Sequence, residues 1–280
     1  MREESAMKFT KMQATGNDFV MIDARSVEMD WPGLARAMCH RRFGVGADGI
    51  ILILNSEKAD FRMRIFNPDG SEAETCGNGL RCFTRYAIEK GITGKKKIEI
   101  ETLAGIARAE VRNSLVRIAM GVPQFEPSRI PVDIKGQSVP VLDYPIKVGE
   151  KVIPVSLVSM GNPHAVAFLK EPVADFSLHE IGPQVEHHAM FPRRTNFEIV
   201  NAVDRGHLKV RIWERGAGET LSCGSGACAV AVAARLKGLA GDAVEIQVPG
   251  GTLVLEWDGK GEVFLTGPAE RVFEGEWPNH

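Results

Sequence analysis

The chain has no apolar run long enough to span a bilayer, and its first six residues (MREESA) lack the apolar core of a secretion signal. No membrane partner is therefore expected, and the expected location is cytoplasmic. An excess of either charge is also missing. The formal net charge of −2 gives no support for a nucleic-acid or polyanion partner. The five cysteines are an odd number scattered over 280 residues, which favours free thiols over a disulfide framework. They do not pair as metal ligands either, because the spacings Cys76-x5-Cys82 and Cys223-x4-Cys228 differ from the close pairs of structural zinc. No metal is expected. No lysine stands in a recognisable Schiff-base setting, so no cofactor is expected. What is present is ordinary globular composition, 25% charged and 44% apolar, in a length that suggests two domains.

The informative feature is a stretch that occurs twice. Asn67 to Leu80 (NPDGSEAETCGNGL) and Glu214 to Ala227 (ERGAGETLSCGSGA) each set one cysteine, Cys76 or Cys223, directly before a Gly-x-Gly turn that opens an apolar, helix-like run. Around the first copy, strands are expected at Lys8 to Gln13, Phe19 to Asp23, Ile50 to Leu54 and Phe61 to Phe66, with a helix over Trp31 to Arg42. A second helix is expected over Leu80 to Lys90, stopping at Gly91, followed by strands at Ile98 to Thr102, Gly105 to Val111 and Leu115 to Met120. Gly121 to Pro127 reads as a linker.

The order then begins again. Cys223 follows Cys76 by 147 positions, and the same offset carries Arg64-Ile65-Phe66 onto Arg211-Ile212-Trp213 and Gly49 onto Asn196. An offset of 145 carries Gly16-Asn17 onto Gly161-Asn162, and 146 carries Ile98-Glu99-Ile100 onto Val244-Glu245-Ile246. The expected fold is α+β: two pseudo-symmetric domains, 7–124 and 125–264, each a mostly antiparallel β-sheet or barrel wrapped around a central α-helix. The last strand, about 265–280, is expected to pack on the first domain.

A Cys-Gly-x-Gly turn places bare backbone N–H groups at a helix N-terminus, where partial positive charge collects and a carboxylate binds. The same field lowers the pKa of a thiol there. Two such units at a domain interface would hold one carboxylate and set a sulfur on each side of the adjacent carbon. One thiolate could remove the α-proton while a thiol on the other face delivers one. Hydrogen bonds to the carboxylate strengthen as enolate character develops. That is racemase or epimerase chemistry without a cofactor.

The chain resembles the diaminopimelate epimerase family in Ala14 to Phe19, Arg42 to Gly49, Phe66 to Cys82, Met160 to His164, Arg194 to Phe197 and Trp213 to Ala229. The resemblance implies a cofactor-independent, homodimeric isomerase that interconverts LL-2,6-diaminopimelate and the meso form, in the pathway to lysine and peptidoglycan precursors. It implies Cys76 and Cys223 as the acid–base pair, with Gly77-Asn78 and Gly224-Ser225 as the carboxylate-binding turns. Asn17, Asn67, Asn162, Asn196, Glu214 and Arg215 are implied as contacts to the rest of the substrate, and His164 with Glu214 as modulators of the thiols. Gly49 departs from members that carry a substrate-contacting Gln there. A distal zwitterion needs an ammonium partner and a carboxylate partner, which Glu214 and the bidentate fork of Arg215 can supply.

Plainer readings stand beside these. Cys39, Cys82 and Cys228 read as small buried hydrophobes, and an asparagine beside glycine is commonly a turn residue. Glu72 and Glu219 recur at one offset, with turn or capping roles as good a reading as catalysis. The alternatives to the epimerase reading are a proline racemase-like isomerase of the same fold, against which Arg215 and its asparagines argue, and a thiol redox or metal-binding protein.

Overall fold

The computed structural model describes residues 6–278. It divides into two compact units, one running to Ile118 and resuming at Gly267, the other Ala119–Thr266.

In the first unit β1 (Met7–Ala14) and β2 (Asn17–Asp23) form a hairpin. Its two-residue turn, Thr15-Gly16, has φ of 50° and 86°, the left-handed pair that matches strand twist. Helix α1 (Trp31–Cys39) then crosses to β3 (Gly49–Leu54), which pairs parallel with β2. Asp30 caps α1 by accepting the Gly33 N–H. The helix is shorter than the periodicity suggests, because His40 is already extended and the chain turns back with Gly46 N–H donating to the Met38 carbonyl.

Strand β4 (Phe61–Phe66) pairs antiparallel with β3 and with the short β5 (Glu72–Ala73). Helix α2 (Gly77–Glu89) leads to β6 (Lys97–Thr102), which runs parallel to β4, and β7 (Gly105–Arg112) and β8 (Leu115–Ala119) complete a meander. Strand β3 (GIILIL) is apolar at every position after its glycine because both faces are covered. Ile50 and Leu52 pack with Trp31, Ala35 and Met38 of α1, whereas Ile51 faces Gly79 of α2.

The second unit repeats this plan. After β9 (Tyr144–Val148), β10 (Lys151–Ser159) and β11 (Pro163–Phe168) pair antiparallel, and α3 (Leu178–Glu186) crosses to β12 (Asn196–Asp204), parallel to β11. Next come β13 (His207–Glu214), β14 (Gly218–Thr220), α4 (Gly224–Leu236), β15 (Ala243–Val248), β16 (Gly251–Glu256) and β17 (Phe264–Pro268). Strand β15 pairs parallel with β13 as β6 does with β4. Leu178, Ile181 and Val185 of α3 pack on Phe197 and Ile199 of β12. Ala227 to Ala234 of α4 are buried without interruption, the sign of a helix enclosed on all sides by sheet.

The last strand, β18 (Glu270–Trp277), pairs antiparallel with β1. It holds beside β1 the place that β9 holds beside β10. Each unit is thus the α+β arrangement expected of the repeat, a largely antiparallel sheet wrapped around one helix, with a second helix outside.

Candidate active site

In each unit the cysteine is the residue that begins the enclosed helix. Cys76 is the N-cap of α2, extended at φ −150° and ψ 121°, and its Sγ accepts the Gly79 N–H at 3.4 Å. The helix starts three residues before Leu80, where the periodicity alone would begin it, because Gly77-Asn78-Gly79 is its first turn. Cys223 caps α4 in the same extended conformation, φ −126° and ψ 117°. The second glycine of each Cys-Gly-x-Gly motif is required by close approach: a Cβ on Gly79 would lie 2.9 Å from Ile51 Cδ1, and one on Gly226 would lie 2.8 Å from Glu198 Oε1.

Around Cys76 the polar partners come from the β1–β2 turn. The thiol donates to Asn17 Oδ1 at 3.7 Å, and Asn78 Nδ2 donates to the same oxygen at 3.2 Å. Asn17 Nδ2 donates to Asp48 Oδ2 at 2.7 Å, which fixes the amide with its oxygen toward the sulfur. Asp48 is held by Arg41 at 2.7 Å, and Arg41 also pairs with Asp18 at 2.8 Å. The buried Lys11 pairs with Asp18 as well. Burial pushes the Asp18 carboxyl up, but the Arg41 and Lys11 cations win and hold it at about 2. Arg81, fully buried on α2, donates to Thr15 Oγ1 at 3.0 Å and to the Pro268 carbonyl at 3.1 Å, tying the turn to the helix. Asn67 stands in the preceding loop, where its Nδ2 donates to Ser71 Oγ at 2.9 Å.

Around Cys223 the corresponding asparagine, Asn162, is turned the other way. Its Nδ2 donates to Ser225 Oγ at 3.3 Å, and Ser225 Oγ lies 3.4 Å from Cys223 Sγ. Asn162 Oδ1 lies 2.9 Å from His164 Nε2, and His164 Nδ1 lies 2.7 Å from Glu198 Oε1. His164 and Glu198 are both fully buried. A helix start is expected to favour thiolate, yet at Cys223 burial, helped by the charge of Glu214, pushes the thiol up and outweighs the Ser225 hydroxyl and the Gly226 N–H. Cys39 and Cys82 are each pushed up to about 12 by burial, so they are inert as nucleophiles.

Asn196, at the start of β12, is buried with both ends of its amide engaged: Nδ2 donates to the Pro163 carbonyl and Oδ1 accepts the Arg215 N–H, each at 2.8 Å. The side chain of Arg215 donates to the Arg193 carbonyl at 3.1 Å. The turn that carries Glu214 and Arg215 rests on Glu186, a buried carboxylate that accepts the Gly216 N–H at 2.9 Å and the Trp213 indole N–H at 2.8 Å.

The recurring glutamates are structural in both copies. Arg64 grips Glu72 with two bonds, at 2.7 and 2.8 Å, and Arg211 grips Glu219 at 2.8 and 3.0 Å. Each pair braces the short hairpin that precedes a capping cysteine, and the spacing of Arg and Glu could have signalled it. Glu198 and Glu186 gave no such signal. Among the described residues no cluster of three or more His, Cys, Asp or Glu is arranged to hold a metal, and no helix is long and apolar enough to cross a membrane.

Residues 9–126 and 156–272 match the family model described as diaminopimelate epimerase. The diaminopimelate epimerase of Moorella thermoacetica is 49% identical, over 97% of this chain and 99% of that protein. That of Carboxydothermus hydrogenoformans is 48% identical, over 97% and 99%. Among solved structures, a phenazine biosynthesis protein of the PhzF family from Bacillus anthracis superposes with a TM-score of 0.69 at 20% identity, covering 98% of this chain and 99% of that one. A hydroxyproline epimerase from Agrobacterium vitis gives 0.68 at 17% identity, covering 99% and 94%. The structural likenesses establish the shared fold, and the sequence matches over nearly the whole length go further: this chain is a member of the diaminopimelate epimerase family.

Proposed function

We propose that the chain interconverts LL-2,6-diaminopimelate and meso-2,6-diaminopimelate by two-base proton transfer, with Cys76 and Cys223 as the acid–base pair. The observation that carries this reading is the duplication of one chemical unit, a cysteine capping a thirteen-residue helix enclosed by sheet, in both halves of the chain. One sulfur, as thiolate, removes the α-proton, and the other, as thiol, returns a proton to the opposite face. The N–H groups of Gly77-Asn78 and Gly224-Ser225 hold the α-carboxylate and gain strength as it takes on enolate charge.

Glu214 and Arg215 serve the distal ammonium and carboxylate. Asn17, Asn67 and Asn162 supply amide contacts that discriminate handedness, because each carries both a donor and an acceptor. Asn196 acts from beneath, through the backbone of Arg215. His164 and Glu214 tune the thiols. The family resemblance also carries a homodimer and a cytoplasmic location, in the lysine and peptidoglycan precursor pathway.

The test is isotope exchange. Incubation with LL-diaminopimelate in heavy water is expected to place deuterium at one α-carbon as the meso form appears, and Cys76→Ala and Cys223→Ala are each expected to abolish epimerisation. Turnover retained in both single variants would overturn the two-thiol mechanism.

A further inference from the structure

The two units differ most sharply one layer behind the cysteines. On the β2–β3 pair of the first unit, Phe19 and Ile51 are buried, and Ile51 Cδ1 lies against Gly79 of α2. The equivalent places on β11 and β12 hold His164 and Glu198, and Glu198 Oε1 lies against Gly226 of α4. Where one copy of the fold packs hydrocarbon, the other buries two titratable groups. Burying a carboxyl is unfavourable without good pairing, and Glu198 Oε2 has no hydrogen-bond partner in the structure. Packing therefore gives no reason for Glu198.

Its connections do. From Glu198 Oε1 a continuous line of polar contacts runs through His164 and Asn162 to Ser225 Oγ and Cys223 Sγ, with steps of 2.7, 2.9, 3.3 and 3.4 Å. We propose, on the reading of Cys223 as an acid–base residue, that Glu198 is a positioning residue that orients this line so that the Ser225 hydroxyl donates to Cys223 Sγ and supports its thiolate form.

The direction follows from donor counting. Glu198 as the acid donates to His164 Nδ1, so the imidazole proton must sit on Nε2. Glu198 as the anion, beside an imidazolium, leaves Nε2 protonated as well. In both forms Nε2–H donates to Asn162 Oδ1, the amide turns its Nδ2 to Ser225 Oγ, and the hydroxyl hydrogen is left for the sulfur. Removing one proton from the Glu198–His164 pair reverses the line. His164 then keeps its proton on Nδ1 for the carboxylate, Nε2 becomes an acceptor, and Asn162 presents its oxygen to Ser225. Ser225 then donates away from the sulfur and can accept the S–H of Cys223.

Burial, with the charge of Glu214 adding to it, pushes the Glu198 carboxyl up against the pull of His164. A raised Glu198 carboxyl favours the proton-bearing form of the pair. The groups whose charges act on Glu198 are His164 on β11 and Glu214 on β13, and the charges of Glu214 and of an ionised Glu198 both push up Cys223 at the start of α4, so a protonated Glu198 also spares the thiolate.

The first unit has the opposite bias built in permanently. Asn17, fixed by Asp48, offers its oxygen to Cys76, which favours the thiol. The same asparagine, held by a carboxylate in one copy and by an imidazole in the other, thus makes the two cysteines unequal.

Three variants of the full chain test this: Glu198→Ile, which installs the residue of the equivalent place; His164→Phe/Glu198→Ile, which installs the whole apolar pair; and Glu198→Gln, whose amide can still donate to Nδ1. Two readouts are followed across pH: deuterium exchange into diaminopimelate, and the alkylation rates of Cys76 and Cys223 with iodoacetamide, resolved by peptide mass spectrometry. Glu198→Ile and the double variant are expected to lower kcat by about tenfold to a hundredfold, as loss of a partner that orients a histidine ligand does. Alkylation of Cys223 should slow with them while that of Cys76 is unchanged. Glu198→Gln is expected to restore most of both. The proposal is overturned if Glu198→Ile leaves Cys223 reactivity and the pH profile unaltered, if Glu198→Gln is as impaired as Glu198→Ile, or if Cys76 slows in parallel. Should the unsubstituted chain fail to exchange deuterium, the epimerase reading falls, and the alkylation rates still decide the role of Glu198.

Discussion

Asp18 is the residue on which the surroundings of Cys76 depend most. It neutralises the buried Lys11 and shares Arg41 with Asp48, which in turn fixes Asn17. Asp18→Asn leaves Lys11 unpaired, and breaking a buried pair costs about 3–5 kcal/mol. The carboxyl is held at about 2, below its ordinary 3.8. A lowered acid contributes stability that is present above the ordinary value and lost as pH falls through the folded one. The stability difference between wild type and Asp18→Asn is therefore expected to be constant near neutrality, to shrink below about pH 4 and to close near pH 2. Urea melts of both proteins across that range measure it, and a difference independent of pH would contradict the account.

Residues of this scale were unequally legible. Cys76 and Cys223 stood out because glycines at fixed spacing follow each of them, and those glycines are needed where sheet and helix touch. Glu198 did not, because a glutamate between Phe197 and Ile199 reads as the solvent side of an alternating strand. Only the second layer, α4, makes that side an interior.

Among the elements, α3 carries the most hidden information. Its sequence, LHEIGPQVE, contains both a glycine and a proline, the residues that argue against a helix interior, and no helix was legible there. The glycine has a specific reason. A Cβ at Gly182 would lie 2.4 Å from Trp213 Cδ2, so the indole is seated against bare helix backbone, from where its N–H reaches Glu186. Glu186 holds the turn that bears Arg215. Gly182→Ala is expected to displace the indole, to destabilise the fold by about 1–3 kcal/mol as overpacking does, and to raise KM for diaminopimelate more than it lowers kcat. Thermal melts and steady-state kinetics check both. A variant with unchanged KM would show that the turn is held by other means. Helix α2, by contrast, was legible in all but its first turn, because the capping residue is a cysteine and cysteine is not a usual cap.

For the whole molecule, the repeat was readable by offset, and the equivalence of β1–β2–α1–β3 with β10–β11–α3–β12 extends it to elements whose residues share no pattern. The units nevertheless differ in continuity. Ala119–Thr266 is one uninterrupted stretch with a core of its own built on β9, β10, β12 and α3. Expressed alone, it is expected to fold and melt cooperatively, which circular dichroism can measure. The other unit, produced as residues 6–118, is expected to remain unfolded, because it lacks the strand that covers β1 and Phe9. A folded 6–118 fragment would contradict this reading of β18.

Strand β18 also sets a timetable. The ribosome makes chain at about 5–20 residues per second, and residues 270–277 emerge only after all of Ala119–Thr266 has been made. Until then β1 exposes an unpaired edge in the nascent protein, the kind of edge that recruits other strands. The half of the enzyme that is translated first is therefore the half that finishes folding last, and the burden on chaperones falls on it.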